Sequence, residues 1–197
     1  MRKYTFLIVL VVVGVAFVAL VTMNSNDKIG STKQDSSAIE GALQETAGPW
    51  RPLTDGLVER VNKLNFPPVG NESFHQHALL QLVLNGTKQT VPADIGLGQI
   101  ESPLHTHDES GAIHMEAARK YPFTLGQFFT VWGVKFSSNQ LGSYKNTAEQ
   151  TVQVYVNGKL VDNPVNYQLQ EKDKIIVGYG KTGEVPTVNR DELPKNL

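Results

Sequence analysis

The sequence predicts an α+β fold in which hairpin strands form one sheet against a main helix. Two Asn-Gly pairs, at 85–86 and 157–158, each lie between apolar runs, and this is the strongest short-range signal for a β-hairpin. Between them, one segment carries apolar residues at helical spacing. Strands on both sides of a helix indicate a sheet with that helix packed on one face. A third observation, the apolar N-terminus, places a membrane helix before this domain.

Residues 1–23 are predicted to form this transmembrane anchor. Arg2 and Lys3 precede an uncharged, largely apolar run from Tyr4 to Met23, and twenty helical residues at about 1.5 Å each cover the hydrocarbon core of about 30 Å. Positive charge at the N-terminal edge predicts a single-pass plasma-membrane protein with a cytoplasmic N-terminus and an extracytoplasmic domain. A cleaved signal peptide is the alternative, although its apolar region would be shorter and no clear cleavage site follows.

The remaining chain divides into three parts. Residues 24–48 are rich in small polar residues and are predicted to form a flexible linker. Residues 49–180 contain the predicted strands and helices and form the exported domain. Residues 181–197 form a polar C-terminal tail.

Composition excludes several functions. The formal net charge of -1 provides no polycationic surface for nucleic acid. The chain has no cysteine, which excludes disulfides, zinc sites built on cysteine, iron–sulfur clusters, thiol nucleophiles and blue-copper centres. The predicted partners are the membrane, through the N-terminal helix, and a metal ion, and the sequence leaves open whether a protein partner exists.

The first elements are a short helix and a hairpin. Helical spacing from Leu57 to Leu64 predicts a helix that Asp55 caps and that ends at Pro67-Pro68. The stretch "HALLQLVLNGTKQTVPADIG" predicts the first hairpin, with alternate leucines from Leu80 to Leu84 on one face. His75 and His77 would lie on the opposite face if the strand begins before them.

The main helix is predicted in "FTLGQFFTVWG". Thr124 and Gln127 have the spacing of a capping box, and Gly133 fits the C-terminal end. An apolar stripe predicts the face that packs on the core: Leu125, Phe128, Phe129 and Trp132.

A second hairpin and a last strand follow. The hairpin turns at Asn157-Gly158, and the apolar run Ile175–Tyr179 predicts the final strand. The order of elements is similar to the β-grasp arrangement, and "VYVNGKLV…YQLQEKDKIIVGYG" resembles the end of such domains. This resemblance implies a β-grasp-like mixed sheet of hairpins packed on one main helix.

The five histidines provide the main functional signal. Three lie in "LHTHDESGAIHMEA", which predicts two strands joined by a tight turn around residues 109–111. A loop of two or four residues would place His107 opposite His114 and His105 opposite Glu116, all on one face of the hairpin. Three imidazoles and a carboxylate at this spacing suit a divalent transition metal, with zinc or copper favoured.

The sequence leaves two questions about these histidines open. A three-residue loop would put His114 on the other face unless a bulge corrects it. His75 and His77 form a further H-x-H pair that completes the same site or forms a second one. Asp108 and Glu109 are solvated, or accept hydrogen bonds from a ligand histidine.

Three stretches together resemble an uncharacterised family of membrane-anchored prokaryotic exported proteins. They read "HQHALLQLVLNGTKQTVPADIG", "LHTHDESGAIHME" and "FTLGQFFTVWG" and match the motifs H-x-H-x-x-L…V-N-G…V-P-x-x-I-G, L-H-T-H-D-x-S-G-x-I-H-x-E and F-T-L-G-x-F-F-x-V-W-G. The resemblance implies an exported domain with a metal site and carries no activity with it.

The sequence is compatible with three functions. The first is a metal-binding protein at the cell surface that binds zinc or copper. The second is a metal-dependent enzyme, either a zinc-water hydratase or hydrolase or a copper or iron protein with oxygen chemistry. The third is a structural or adaptor domain of the cell envelope in which a metal only stabilises the fold.

Overall fold

The computed structural model describes residues 43–70 and 73–195. These residues form a mixed α+β fold with two α-helices and a mixed sheet. The predicted anchor at 1–23 lies outside the described residues. Within them, no helix is both long and apolar enough to cross a membrane.

The helices are α1 (Leu57–Leu64) and α2 (Leu125–Trp132), and Pro164–Asn166 forms a 3-10 turn. The described strands, in chain order, are β1 (Phe74–Leu84), β2 (Thr87–Gln89), β3 (Leu104–His105), β4 (Ala112–Ala117), β5 (Phe136–Ser137), β6 (Gln140–Leu141), β7 (Tyr144–Lys145), β8 (Thr151–Val156), β9 (Lys159–Leu160) and β10 (Lys174–Gly180).

The main sheet has the order β3-β4-β1-β10-β8-β9, and β2 pairs with the C-terminal part of β1. The central pair, β1 and β10, is parallel, whereas the other neighbours are antiparallel. Strands β5, β6 and β7 form a separate small sheet. Because β1 is long, its N-terminal part pairs with β4 and its C-terminal part pairs with β2.

Both predicted Asn-Gly hairpins are confirmed. Asn85 and Gly86 have φ of 49° and 77°, and Asn157 and Gly158 have φ of 50° and 82°. Positive φ at both central positions defines the type I′ turn, whose twist matches that of the flanking strands. These turns connect β1 to β2 and β8 to β9.

The main helix is also confirmed, together with both of its ends. The Thr124 hydroxyl accepts a hydrogen bond from the Gln127 backbone N–H, and the Gln127 side chain accepts one from the Thr124 N–H. Gly133 ends the helix with φ 82°. The predicted stripe packs in the core, since all four side chains are fully buried: Leu125, Phe128, Phe129 and Trp132.

The first helix differs from the prediction at both ends. Its N-cap is Gly56, and no side chain caps it, so the predicted cap by Asp55 is wrong. Asp55 instead uses its backbone carbonyl, which accepts a hydrogen bond from Arg60 Nη1. The helix ends at Leu64 because Asn65 adopts a left-handed conformation with φ 51°, before the two prolines are reached.

The two faces of the main sheet have different neighbours. Alternate residues of a strand point to opposite faces, and Leu80, Leu82 and Leu84 join the large core that contains α2. On the opposite face, Val83 packs with Ile176 and with Val185 of the C-terminal segment. The N-terminal part of β1 presents its histidines on this second face.

Both ends of the described chain pack on the domain. Gln44 forms a β-bridge with Val134. Near the C-terminus, buried Asn189 donates hydrogen bonds to the carbonyl oxygens of Leu79 and Ile175. These contacts join the terminal segments to the core and to the central strands, respectively.

Candidate metal centre

Three neighbouring strands bring the histidines together. In the sheet, His114 of β4 lies opposite His105 of β3 on one side and opposite His77 of β1 on the other. In the next row, Glu116 lies opposite His75. Residues that are directly opposite each other, or two positions apart along a strand, share a face. All five side chains therefore lie on the same face of the sheet.

The predicted register of the β3–β4 pair is wrong by two residues. The sequence predicted that His107 faces His114 and that His105 faces Glu116, but the structure pairs His105 with His114. A shift of two residues preserves the face on which each side chain lies, so the predicted group stays together. Strand β3 ends at His105, and His107 therefore joins the group from the connecting loop.

The donor atoms of these side chains lie close together. Nε2 of His107 is 3.1 Å from Nε2 of His105. Nδ1 of His114 is 3.1 Å from Oε1 of Glu116 and 3.2 Å from Nε2 of His77. Nε2 of His75 lies 3.0 Å from Nε2 of His77 and 2.9 Å from Oε1 of Glu116. Each of the six predicted site residues thus contacts at least one other.

These separations suit a shared metal ion. With metal–nitrogen bonds of about 2.0–2.1 Å, neighbouring ligand atoms lie about 3.3 Å apart around a tetrahedral ion. The observed spacings of 2.9–3.2 Å are close to this value. The donor set of imidazoles and one carboxylate is also one that divalent transition metals accept. The residues therefore fit a metal ion without a large rearrangement.

The donors form two overlapping groups. The first contains His105, His107, His114 and Glu116, whose ligand atoms all lie within 4.8 Å of one another. The second contains His75, His77 and His114, which meet the same criterion. His114 belongs to both. Either group could hold a metal ion.

The site is buried on one side and open on the other. His105, His114 and Glu116 are buried, with 0%, 5% and 6% of their surface exposed. His75 and His107 are exposed, and His77 is half-buried. An ion bound here would contact buried ligands on one side and would remain accessible from solvent on the other.

Burial also keeps the inner histidines neutral. Desolvation lowers the pKa of His105 and of His77, and it lowers the pKa of His114 to about 4. The carboxylate of Glu116 opposes this effect at His114 through its hydrogen bond, but desolvation is the larger influence. Neutral imidazole is the form that binds a metal, so these side chains are ready to coordinate at pH 7.

A backbone carbonyl orients the ring of His105, and an acidic side chain binds the backbone of His77. Nδ1 of His105 lies 2.9 Å from the carbonyl oxygen of Ser102. When Nδ1–H donates to that carbonyl, Nε2 is left as the acceptor that faces the other donors. At His77, the backbone N–H donates to Oε2 of Glu171 at 2.8 Å, which joins β1 to the segment before β10.

The acidic residues of the turn have a local structural role. Oδ1 of Asp108 accepts a hydrogen bond from the Ser110 N–H at 2.9 Å, and hydrogen bonding to Ser110 lowers the pKa of Asp108. Glu109 is exposed in the same turn. Asp108 thus stabilises the connection that carries His107.

Neither Glu171, described above, nor a second acidic neighbour, Glu101, was predicted from the sequence. Oε1 of Glu101 lies 3.9 Å from Nε2 of His105, although its side chain is half exposed. The spacing Glu-x-x-x-His carries no clear signal in a loop, because the geometry depends on how residues 101–104 fold. A search for every carboxylate within a few residues of the H-x-H motif would have included it.

Comparison with protein-family models, curated proteins and solved structures gives no match to this chain. The resemblance to a membrane-anchored prokaryotic family therefore stays a prediction. The class that the structure itself defines is an α+β domain with a histidine- and glutamate-lined group that could hold a metal ion.

Proposed function

We propose that this protein is a membrane-anchored, extracytoplasmic metal-binding protein whose centre binds zinc or copper. The observation that carries the proposal is the position of His114 between two other histidines in three adjacent strands. Five donor residues lie on one face of the sheet, and His107 joins them from the loop after β3. An unrelated placement of the five histidines would not bring their donor atoms into two overlapping groups, each within 4.8 Å.

Ligand chemistry favours zinc or copper among the divalent metals. Imidazole suits Zn(II) and Cu(II), whereas magnesium and calcium prefer sets made of oxygen alone. No thiolate is present, because the chain contains no cysteine. The proposed ligands are His105, His107, His114 and Glu116, with His75 and His77 beside them.

The proposed location follows from the N-terminal sequence. The apolar run at 4–23 and the basic residues before it predict a single span with the domain outside the cytoplasm. The proposed domain type is β-grasp-like. It is supported by the parallel central pair of β1 and β10, with hairpin strands on either side and α2 packed on one face.

The test of this function is metal analysis of the purified full chain. The protein would be prepared without a polyhistidine tag and analysed by elemental mass spectrometry beside the variant His105→Ala/His107→Ala/His114→Ala. We expect near-stoichiometric zinc or copper in the wild type, and loss of that metal in the variant while its circular dichroism spectrum is retained. Absence of metal in the wild type, even after reconstitution with zinc, copper, iron and manganese, would contradict the proposal.

A metal-dependent enzyme is the second candidate, favoured by the open side of the site. His75 and His107 are exposed, so a substrate could approach an ion held by the buried residues. An ion with a free coordination position lowers the pKa of bound water, and Glu101 beside His105 is placed to accept a proton. Hydration and ester-hydrolysis assays on the metal-loaded protein, with Glu101→Gln as the comparison, distinguish catalysis from binding alone.

A further inference from the structure

We infer that the site binds two metal ions, with the second held by His75, His77 and one ring nitrogen of His114. The other ring nitrogen of His114 would bind the first ion once the ring has released its N–H proton to solvent. This inference rests on the proposed metal-binding function and extends it from one ion to a pair. The first ion would be held by the first group, in which His105, His114 and Glu116 are buried and His107 is exposed.

The first argument is the largest distance that can separate two ligand atoms of one ion. Two ligands of one ion can be separated by at most twice the bond length, about 4.2 Å with nitrogen ligands. The donors of the site nevertheless form two groups, each compact within 4.8 Å, rather than one group of six. One ion therefore satisfies one group, and the other histidine pair is left to bind a second ion.

The second argument is the number of ligands. Zinc in structural protein sites is almost always four-coordinate. The first group already offers four donor residues. These four complete the coordination of one zinc ion without His75 or His77. The two rings of this pair still face each other, with Nε2 atoms 3.0 Å apart, which is a chelating arrangement on one strand.

The third argument is the position of the Glu116 carboxylate. Its Oε1 lies 2.9 Å from Nε2 of His75, 3.1 Å from Nδ1 of His114 and 3.7 Å from Nε2 of His105. One carboxylate oxygen thus contacts histidines of both groups. A carboxylate in this position can balance the charge of both cations.

Other charged groups also favour a second cation. Glu171 contacts the backbone N–H of His77, and Glu101 lies beside His105. Negative charge is thus distributed at both ends of the histidine cluster.

The two ions would differ in character. The first is surrounded by His105, His114 and Glu116, which are all buried. The second lies at the open end, where the side chain of His75 is 42% exposed. With three imidazoles and contact with solvent, the second ion keeps positions for water or an exchangeable ligand. It therefore fills after the first and is released more easily.

The test is a metal titration of the full chain. Zinc would be added to the metal-free protein, and bound ions would be counted by equilibrium dialysis and elemental mass spectrometry. We expect two ions per wild-type chain, with the second bound more weakly, and one ion in His75→Ala/His77→Ala. The variant Gln76→Ala, on the same strand but the other face, is the control and should bind two. His75→Gln/His77→Gln replaces the alanine pair if that variant does not fold.

The remaining outcomes separate this inference from the function on which it rests. One ion in the wild type would overturn the inference. If that ion is kept in His75→Ala/His77→Ala, the metal-binding function survives with the first group alone. If the ion is lost in that variant, His75 and His77 bind the same single ion as the other histidines. No ion in the wild type would overturn both proposals.

Electron paramagnetic resonance tests whether the ions share a ligand. With one equivalent of Cu(II), we expect the full signal of an isolated ion. With two equivalents, coupling of the two ions through the shared His114 ring lowers the signal per copper, whereas His75→Ala/His77→Ala keeps the isolated signal. Two bound coppers with full, uncoupled intensity would contradict the sharing of His114.

Discussion

His77 and His114 lie directly opposite each other on the antiparallel strands β1 and β4, with 3.2 Å between Nε2 of His77 and Nδ1 of His114. This contact joins the H-x-H motif of β1 to the H-x-E motif of β4, and the two residues are 37 positions apart in the sequence. Since His114 also lies opposite His105, its ring occupies the centre of the cluster. A change at this ring therefore reaches the ligands on both neighbouring strands.

Replacing His114 should damage metal binding more than replacing any other single histidine. The variant His114→Asn removes the one ligand that both groups contain. We expect its zinc affinity to fall by more than the roughly 10- to 100-fold that loss of an outer-shell partner costs. Competition with a chromophoric chelator measures this change. An affinity within threefold of the wild type would show that His114 is not a ligand.

The stability of the metal-free protein should decrease as pH falls from about 6.5 towards 4. Burial lowers the pKa of His114 to about 4, below its ordinary value of 6.5, and shifts His105 and His77 in the same direction. Above pH 6.5 these groups are neutral in both states and contribute no pH dependence. Below it, the unfolded chain binds protons that the folded chain does not, so the free energy of unfolding falls.

Urea unfolding of the metal-free protein at several pH values measures this effect. We expect the fall between pH 6.5 and 4 to be smaller in His114→Asn, since that variant lacks one of the shifted groups. An equal fall in the wild type and the variant would assign the pH dependence to other residues.

Metal binding should raise the thermal stability of the fold. An ion that binds only the folded chain stabilises it by about 2.7 kcal/mol when its free concentration is 100 times Kd. For a chain of this size, that corresponds to a rise in Tm of about 5–10 °C. Differential scanning calorimetry with zinc, and again after addition of a chelator, measures the rise and its reversal. The variant His105→Ala/His107→Ala/His114→Ala serves as control, and an equal rise in that variant would contradict binding at the cluster.

Gly96 should affect the metal centre although it carries no donor atom. Its φ is +76°, and an added Cβ would collide with the carbonyl oxygen of Leu104 and approach the Ser102 Cβ to 3.1 Å. Leu104 and Ser102 position His105, one as its strand neighbour and the other through its carbonyl. We therefore expect Gly96→Ala to lower both stability and zinc affinity.

Gly183→Ala is the matched control for Gly96→Ala. Gly183 has a similar φ of +86°, but its added Cβ would meet nothing within 4 Å. Both substitutions carry the cost of a left-handed alanine, about 1–2 kcal/mol, and only Gly96→Ala adds the collision. Isothermal titration with zinc compares the two, and equal affinities would show that the backbone around Gly96 does not position the site.

The sequence predicts local elements well where local chemistry determines them. The Asn-Gly turns and the capping box of α2 form as expected because positive φ and side-chain caps are properties of neighbouring residues. The predicted cap of α1 does not form, because Gly56 occupies the N-cap position in a left-handed conformation. Buried Arg60 instead donates hydrogen bonds to the backbone carbonyl oxygens of Asp55 and Leu53, a contact that the spacing of apolar residues does not predict.

The composition of the site is predictable, but its arrangement is not. The period of two along a strand places His105 with His107 and His114 with Glu116 on common faces. The register of β3 against β4 depends on the whole connection between them, including the Asp108 turn. For this reason the predicted register was wrong by two residues. Pairing of β1 with β4 depends on the sheet order, which no local pattern encodes. The contact between His77 and His114 therefore appears only in the folded structure.

X-ray absorption spectroscopy of the zinc-loaded full chain tests the central claim most directly. A centre built by these residues should give nitrogen and oxygen neighbours at about 2.0–2.1 Å, with the outer-shell scattering of several imidazole rings. That scattering should weaken in His105→Ala/His107→Ala/His114→Ala. A zinc spectrum with oxygen neighbours only and no imidazole scattering would contradict the account, because it would show that the clustered histidines do not bind the metal.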